Sequence, residues 1–296
     1  MKSILILISI ILVCFTSCKK EVSLSNLNGN SIGCFGHAGM GSKSFYPANT
    51  LQSFESCLSR GADGTEMDIQ VTKDGVLVIY HNNDLSSATQ CGGVIRDLNW
   101  EEINSCRFNS SISNNFDVIS FDEFFQTLSN PYKYTFTFDC KLTEGSGDNN
   151  EYYKKFTSAI VSTAEKYGIQ NNLFIENSDA GFLNLIKQQN SQLKLFLLGD
   201  DFKINLATVI QNGFYGISCD NNSISYDQIK EAHDNDVRIT IYGVETNKEN
   251  YDAINKQPDF IQTDDLDYIL KLFGKFNRHS GRLSDLLKNI NLNPSK

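Results

Sequence analysis

Two acidic residues on one strand and a histidine on the returning strand are the first side chains in this sequence that could do chemistry. The segment GADGTEMDIQVTKDGVLVIYHNND, residues 61–84, places Glu66 and Asp68 two positions apart and His81 at the end of the next β-like run. Alternate residues of a strand point to the same face. Two carboxylates held so close repel each other, and burial would raise the pKa of at least one unless a cation lay between them. The segment therefore predicts a cation site.

Three more residues with suitable chemistry stand at the ends of other β-like runs. His37 follows the run SIGCFG, and Asp139 ends FTFD with Lys141 two positions later. Carboxylate ligands without a Cys/His cluster are typical of a hard cation, Ca²⁺ or Mg²⁺. Two imidazoles beside such a cation suit removal of a proton from a nucleophile and delivery of another to a leaving group. A cation that neutralises phosphoryl oxygens would serve phosphoryl transfer.

These residues belong to a chain in which β-like runs alternate with amphipathic helical patterns. Nine runs are typical of strands: SIGCFG (31–36), GTEMDIQV (64–71), GVLVIYH (75–81), YTFTFDC (134–140), NLFIE (172–176), LKLFLL (193–198), FYGISC (214–219), VRITIY (237–242) and DFIQT (259–263). Since a parallel crossover needs a dozen or more residues, the short TKDG turn makes the third run antiparallel to the second. Eight strands remain, which predicts an α/β fold, a (β/α)₈ barrel. A doubly wound open sheet is the alternative, but none of the predicted strands is followed by the glycine-rich phosphate loop that is typical of that fold.

The barrel predicts where the candidate residues meet, because active sites of such barrels are built at the C-terminal ends of the strands. Two registers are open for the hairpin. A four-residue loop, 72–75, would set Glu66 opposite His81, whereas a two-residue Asp74-Gly75 turn would set Asp68 opposite His81. Either register places the imidazole on the face of a carboxylate, and only a slip of one residue would separate them.

The N-terminus predicts export and lipidation. Residues 1–17 combine a charged start with the short apolar run ILILISIILV, as in a secretory signal. The stretch FTSC, 15–18, resembles a bacterial lipobox with Phe15 in place of the usual Leu, and predicts lipidation of Cys18. An ordinary cleaved signal is the alternative. The expected location is the bacterial cell envelope, lipid-anchored and either periplasmic or surface-exposed.

The remainder of the chain is expected to form one domain. Residues 18–30 would be a polar tether and residues 31–296 a single barrel domain, with residues 82–133 as an insertion after the second barrel strand. A net charge of −9 argues against a nucleic-acid partner and leaves membrane contact to the lipid anchor. The oligomeric state is not predicted.

The cysteines divide into two groups. Four lie in apolar runs and are expected to be buried free thiols: Cys34, Cys57, Cys140 and Cys219. Cys91 and Cys106 flank a polar loop outside the cytoplasm and could pair as a disulfide.

The motifs around the candidate residues resemble those of the glycerophosphodiester phosphodiesterase family, in the phosphatidylinositol-phospholipase-C-like phosphodiesterase superfamily. GHAG, YPANTLQSF, GADGTEMDIQVTKDG and YHNNDL are similar to that family's His-Arg-Gly start, helix entry, Glu-x-Asp block and His-Asp pair. A weaker likeness continues through GGVIRDLNWEEI, VISFDEFF, FDCK and DFIQTDD. The resemblance therefore spans nearly the whole chain after the signal.

The resemblance implies a barrel enzyme that releases sn-glycerol 3-phosphate and an alcohol from a glycerophosphodiester, with one Ca²⁺ or Mg²⁺ bound. It implies these roles, position by position: metal ligands Glu66, Asp68 and Asp139; an acid/base pair His37 and His81; a phosphate contact at Lys141; and Asn49 beside the substrate.

Three departures from the family pattern bear on the substrate. Ala38 stands where an Arg follows the first histidine, Asn82 where an Asp follows the second, and Asp139 where the third ligand is usually Glu. They spare the cation site but remove a bidentate phosphate donor. Two other functions are therefore open: a phospholipase-D-like activity on lysophospholipids or sphingolipids at the membrane, and a surface protein that binds phosphodiesters or glycans without turnover. Retention of both histidines favours turnover.

Overall fold

A closed barrel of parallel strands surrounded by helices forms the framework of the protein. The computed structural model describes residues 23–110 and 116–277, and within them the chain forms ten strands and nine α-helices. The strands are β1 (Gly33–Gly36), β2 (Gly64–Val71), β3 (Leu77–Ile79), β4 (Ile119–Ser120), β5 (Thr135–Cys140), β6 (Leu173–Asn177), β7 (Lys194–Leu198), β8 (Gly216–Asp220), β9 (Arg238–Val244) and β10 (Phe260–Thr263). The helices are α1 (Leu51–Ser59), α2 (Trp100–Ile103), α3 (Phe121–Thr127), α4 (Asn149–Tyr167), α5 (Ala180–Gln189), α6 (Phe202–Asn212), α7 (Tyr226–Asp234), α8 (Asn247–Asn255) and α9 (Leu266–Leu272).

The strand order confirms the predicted barrel. Eight strands pair in the order β1-β10-β9-β8-β7-β6-β5-β2, and parallel pairing of β1 with β2 closes the ring. β3 pairs antiparallel with β2, as the short turn predicted, and β4 pairs antiparallel with β3 outside the ring. The alternative of an open doubly wound sheet is wrong, because an open sheet has two edge strands, whereas the eight parallel strands here form a closed ring. The two-residue strand β4 was not predicted.

The register of the β2–β3 hairpin differs from both predicted alternatives. Thr72 and Val76 close the hairpin through a 3.0 Å backbone hydrogen bond, which leaves a three-residue loop, 73–75. Gly75 supplies the left-handed residue that such loops need, with φ +90°. The register lies one residue from either alternative, so neither Glu66 nor Asp68 stands opposite His81.

Aromatic side chains fill the N-terminal half of the barrel interior. Phe35, Phe174 and Phe196 are buried there and pack with Phe260, with ring centroids 4.9–6.1 Å apart. Because inward-facing side chains alternate along each strand, the residues two positions further on form the next layer toward the C-terminal end. The polar layer of the barrel therefore begins directly above this apolar plug.

The excursion between β3 and β5 is fastened to the loop that follows β5. Arg96 is buried and donates to the carbonyls of Thr143 (2.9 Å) and Ser146 (3.1 Å) and to Oδ1 of Asn149 (2.9 Å). Its guanidinium lies 4.1 Å from the ring centroid of Tyr152. These contacts fix the loop beside the C-terminal end of β5, where Asp139 and Lys141 lie.

The predictions for the cysteines are confirmed within the described residues. Cys91 and Cys106 form a disulfide with a Cα–Cα distance of 5.7 Å inside the excursion. The four cysteines expected to be buried free thiols are so: Cys34, Cys57, Cys140 and Cys219.

The segment preceding β1 crosses the N-terminal end of the barrel. Nδ2 of Asn26 donates to Oδ1 of Asp259 (2.8 Å), which directly precedes β10. The predicted signal, residues 1–17, and the predicted lipidation site Cys18 lie outside the described residues. None of the helices within the described ranges has the length and apolar character needed to cross a bilayer.

Candidate active site

Three predicted metal ligands, two on β2 and one near the C-terminal end of β5, converge inside the barrel. Glu66, Asp68 and Asp139 each offer a carboxylate oxygen, and these oxygens lie within 4.8 Å of one another. Asp68 and Asp139 are register partners on adjacent parallel strands, so both point into the barrel. Glu66 and Asp68 are only 1% and 2% exposed. The structure therefore brings together the acids that the sequence singled out.

One of the two carboxylate oxygens of Glu66 has no hydrogen-bond partner among the described residues. Oε2 accepts a 2.7 Å hydrogen bond from the backbone N–H of Ala38, whereas Oε1 is buried without a partner among the described residues. Burial and the neighbouring charge of Asp68 raise the pKa of Glu66 well above its usual value, although the charge of His37 lowers it in part. A buried carboxylate oxygen without a donor is costly unless a cation neutralises it. The donor set fits a hard divalent cation.

Lys141 lies between two of these carboxylates. Its Nζ is 2.6 Å from Asp139 Oδ2 and 2.9 Å from Asp68 Oδ1. Burial lowers the pKa of Lys141, but the charges of Asp68 and Asp139 outweigh burial and raise it above its usual value. The ammonium therefore stays charged at neutral pH and offsets part of the negative charge. Its contact with a phosphate stays a prediction.

Both polar atoms of the Asn49 side-chain amide form hydrogen bonds with Asp68. Its Nδ2 donates to Asp68 Oδ2 (2.5 Å), and its Oδ1 accepts the backbone N–H of Asp68 (3.1 Å). Asn49 is buried and adopts a left-handed φ of 63°, which Asn tolerates better than most residues. The structure thus gives Asn49 a positioning role toward Asp68, and its predicted contact with substrate stays a prediction.

His37 is held at the end of β1 by two acids. Nδ1 is 3.1 Å from Oδ1 of Asp264, and Nε2 is 3.9 Å from Oε2 of Glu66. Burial lowers the pKa of His37, but the hydrogen bond to Asp264 and the charges of Glu66, Asp264 and Asp68 raise it to about 10. The backbone N–H of Ser42 fixes Asp264 through a 2.6 Å hydrogen bond. The imidazole is thereby oriented with Nε2 toward the carboxylates.

His81 lies beyond the end of β3 and is exposed. Its Nδ1 is 2.9 Å from Oδ1 of Asn82, so an amide oxygen contacts the ring at the position where the family pattern has a carboxylate. Burial raises the pKa of Asp139, whereas the charges of Lys141 and, more weakly, His81 lower it. His81 is therefore within electrostatic reach of Asp139 although it does not contact an acid of the cluster in the described structure. The two imidazoles approach the carboxylates from β1 and from the β3 side.

The sequence of residues 40–268 matches the model of the glycerophosphoryl diester phosphodiesterase family. That match spans more than half of the chain. The chain belongs to this family. The resemblance of its motifs is thereby confirmed.

Sequence relatives carry the likeness over a shorter stretch. A glycerophosphodiester phosphodiesterase of Bacillus altitudinis is 44% identical over 69 residues, which cover 23% of this chain and 27% of that protein. The human glycerophosphodiester phosphodiesterase 1 is 39% identical over 57 residues, 19% of this chain and 17% of that protein. The chain thus spans about a quarter of the length of the bacterial relatives it matches.

Solved structures of the family share the fold over most of the chain. A glycerophosphodiester phosphodiesterase from Parabacteroides distasonis has a TM-score of 0.71 at 18% identity, and the match covers 85% of this chain and 99% of that one. A phosphodiesterase from Oleispira antarctica, solved in complex with the product sn-glycerol-3-phosphate, has a TM-score of 0.72 at 15% identity and covers 82% and 96%. At these identities the likeness shows the barrel fold.

Two acids that were not predicted from the sequence lie beside the candidate site. Asp264 follows β10 and orients His37, and Glu176 on β6 is buried beside Asp139. Burial and the charge of Asp139 raise the pKa of Glu176 to about 7. Each had a signal in the sequence: Glu176 interrupts the apolar run NLFIE, and Asp264 directly follows the run DFIQT.

Crowding of the carboxylates predicts an unusual pH dependence for the cation-free protein. Folding raises the pKa of Glu66, Asp139 and Glu176, so between about pH 5.5 and 8 the folded state binds more protons than the unfolded state. His37 acts in the same direction, because its folded pKa of about 10 lies above its usual value. Stability in chelator is therefore expected to rise as pH falls from 8 to 5.5.

Thermal unfolding at both pH values, with chelator and with Ca²⁺, measures this effect. Ca²⁺ requires ionised carboxylates, so its stabilising effect should shrink as pH falls. A chelated protein that loses stability between pH 8 and 5.5 would contradict the assignment of raised pKa values to the cluster.

Proposed function

We propose that the protein is a metal-dependent phosphodiester hydrolase that cleaves glycerophosphodiesters to sn-glycerol 3-phosphate and an alcohol. The observation that carries the proposal is the buried cluster of Glu66, Asp68 and Asp139 with His37 directed at it. Membership of the family supports the reaction class. So does the Oleispira antarctica phosphodiesterase, whose structure contains sn-glycerol-3-phosphate as product.

Glu66, Asp68 and Asp139 would hold one Ca²⁺ or Mg²⁺, since their oxygens converge and Oε1 of Glu66 has no protein partner. When bound, the cation supplies positive charge that offsets the phosphoryl oxygens. Lys141 supplies a second positive charge at the same place and would contact the phosphate. Asn49 keeps Asp68 in position through its two hydrogen bonds.

The two imidazoles perform the proton transfers of the proposed reaction. The oxygen of a water, or of a neighbouring substrate hydroxyl, forms a new bond to phosphorus while one imidazole accepts its proton. The bond between phosphorus and the alcohol oxygen breaks, and the other imidazole donates a proton to that oxygen. Attack by a glycerol hydroxyl gives a cyclic phosphate, which water then opens. Asp264 orients His37 for its transfer, and Asn82 contacts the ring of His81.

The described segment that follows the expected lipid anchor is bound to the end of the barrel opposite the candidate site. Asn26 binds Asp259 before β10, whereas Asp264 and His37 follow the C-terminal ends of β10 and β1. Asn26 is eight residues after Cys18, a stretch that reaches at most about 28 Å. Lipid attachment at Cys18 would therefore join the anchor to the end of the barrel opposite the site.

Release of sn-glycerol 3-phosphate from glycerophosphocholine, glycerophosphoethanolamine and glycerophosphoglycerol tests the proposal. We expect turnover with Ca²⁺ or Mg²⁺ and none with chelator. Lysophosphatidylcholine and sphingomyelin in vesicles serve as the comparison, and faster release of choline from these lipids would favour the phospholipase-D-like function. Saturable binding of the soluble diesters without product in either metal would favour the non-catalytic binding protein.

A further inference from the structure

A fourth carboxylate lies beside the three that form the proposed cation site. Glu176 is on β6, the strand next to β5, and it is the register partner of Asp139. Register partners on adjacent parallel strands project to the same face of the sheet. Since Asp139 points into the cluster, Glu176 points into the same layer of the barrel interior.

Glu176 has no cationic partner of its own in the described part of the chain. It is 2% exposed, and its two oxygens accept hydrogen bonds from Nε2 of Gln262 at 3.0 and 3.2 Å. The hydroxyl of Ser218 also lies close to the carboxylate, so the groups that favour its charged form by hydrogen bonding are an amide and a hydroxyl, both neutral. A buried carboxylate of this kind is expensive unless a proton or a cation compensates its charge.

The positive charge around the cluster is insufficient for four carboxylates. Lys141 contacts Asp68 and Asp139, while His37 lies between Asp264 (3.1 Å) and Glu66 (3.9 Å). With Asp264 included, five carboxylates therefore face two cationic groups, and three negative charges are left over. A divalent cation is the natural compensation, and Oε1 of Glu66, buried without a hydrogen-bond partner in the described structure, offers it a ligand atom.

We infer that Glu176 is a fourth acidic group of the cation site, held by Gln262 and contributing its carboxylate to the shell around the cation. The inference rests on the divalent cation of the proposed function. It adds a strand, β6, to the site, so that the cation would be enclosed by acids of three neighbouring strands, β2, β5 and β6. Gln262 on β10 then acts across the barrel as a positioning residue for Glu176.

Calorimetric titration of the purified protein with Ca²⁺, and in parallel with Mg²⁺, measures this role without reference to turnover. Glu176→Gln preserves the side-chain shape and an oxygen for the Gln262 amide but removes the charge. We expect its cation affinity to fall about 10- to 100-fold. The melting temperature of the chelated variant should stay equal to that of the wild type or rise, because a buried charge has been removed.

Two further variants show whether a change in cation affinity comes from the position of the Glu176 carboxylate or only from the loss of one negative charge. Glu245→Gln removes an exposed carboxylate that follows β9, at the same end of the barrel, and should leave cation affinity within about twofold of wild type. Glu176→Asp keeps the charge but withdraws it by one methylene, and we expect a loss of affinity between wild type and Glu176→Gln. Should Glu176→Gln fold poorly, this variant carries the test.

Wild-type cation affinity in either Glu176 variant would overturn the inference and leave Glu176 as a structural partner of Gln262. That outcome would not touch the proposed function, because the other three ligands would still bind the cation. If the wild-type protein bound neither cation, the metal dependence of the proposed function would itself fail, together with the inference built on it.

Discussion

Replacement of His37 by asparagine is expected to lower kcat/KM for glycerophosphocholine by about 10²- to 10⁴-fold without loss of fold. His37 is the imidazole whose geometry is fixed most firmly, because Asp264 binds Nδ1 and leaves Nε2 directed at the cluster. Asparagine can keep a hydrogen bond to Asp264 but cannot transfer a proton at neutral pH. Steady-state kinetics with saturating Ca²⁺ or Mg²⁺ measure the loss.

A second substrate distinguishes whether His37 donates a proton to the leaving group or accepts one from the nucleophile. A p-nitrophenyl phosphodiester has a leaving group that departs without protonation. If His37 is the acid, His37→Asn should lose much less activity on this ester than on glycerophosphocholine. If His37 is the base, both losses should be similar. Unchanged kcat/KM on both substrates would remove His37 from the mechanism.

Asp264→Asn is the matched test of positioning. The amide can still accept a hydrogen bond from Nδ1 but no longer carries the charge that raises the pKa of His37. We expect a smaller loss, about tenfold, together with a shift of the pH–rate profile to lower pH. A loss without any shift of the profile would indicate that Asp264 matters only for the local structure.

The barrel was predictable because its signals are local. Each of the nine β-like runs has β-rich composition, and four residues between 71 and 76 suffice to force an antiparallel return. The register of that return was not predictable, because it depends on the loop conformation. Thr72 pairs with Val76, and its hydroxyl accepts the Val76 N–H at 2.8 Å, which selects a three-residue loop over loops of two or four.

Some residues of the candidate site were likewise predictable from the sequence, and others were not. Glu66, Asp68 and Asp139 were recognisable because each places a carboxylate within a β-like run, and Asp139 lies near the C-terminal end of its run, where a barrel gathers functional residues. The partners that tune these groups were not recognisable, because they come from distant parts of the chain. Asp264 is 227 residues from His37, and Gln262 is 86 residues from Glu176. Asn49 was placed near the site, but its two hydrogen bonds to Asp68 could be seen only in the fold.

Replacement of Glu66 by glutamine is expected to change stability and activity in opposite directions. The amide oxygen can keep the hydrogen bond from the Ala38 N–H, while the amide nitrogen replaces the unpartnered Oε1 and can donate to a neighbouring carboxylate. Removal of a buried charge from a group of like charges should stabilise the chelated protein by about 1–3 kcal/mol. In a chain of this size that corresponds to a rise in melting temperature of roughly 2–4 °C per kcal/mol.

The same substitution should remove the function that the buried charge serves. Cation affinity and kcat/KM should each fall by more than the roughly 100-fold that loss of an outer partner of a metal site costs, because Glu66 is expected to contact the ion itself. Calorimetric titration, kinetics and thermal unfolding in chelator give the three readouts, with Glu245→Gln as the charge-matched control. A variant that bound the cation as tightly as the wild type, or that melted lower in chelator, would mean that Glu66 is an element of the fold. If Glu66→Gln gains stability in chelator and loses cation affinity, the Glu66 carboxylate serves cation binding and destabilises the cation-free protein.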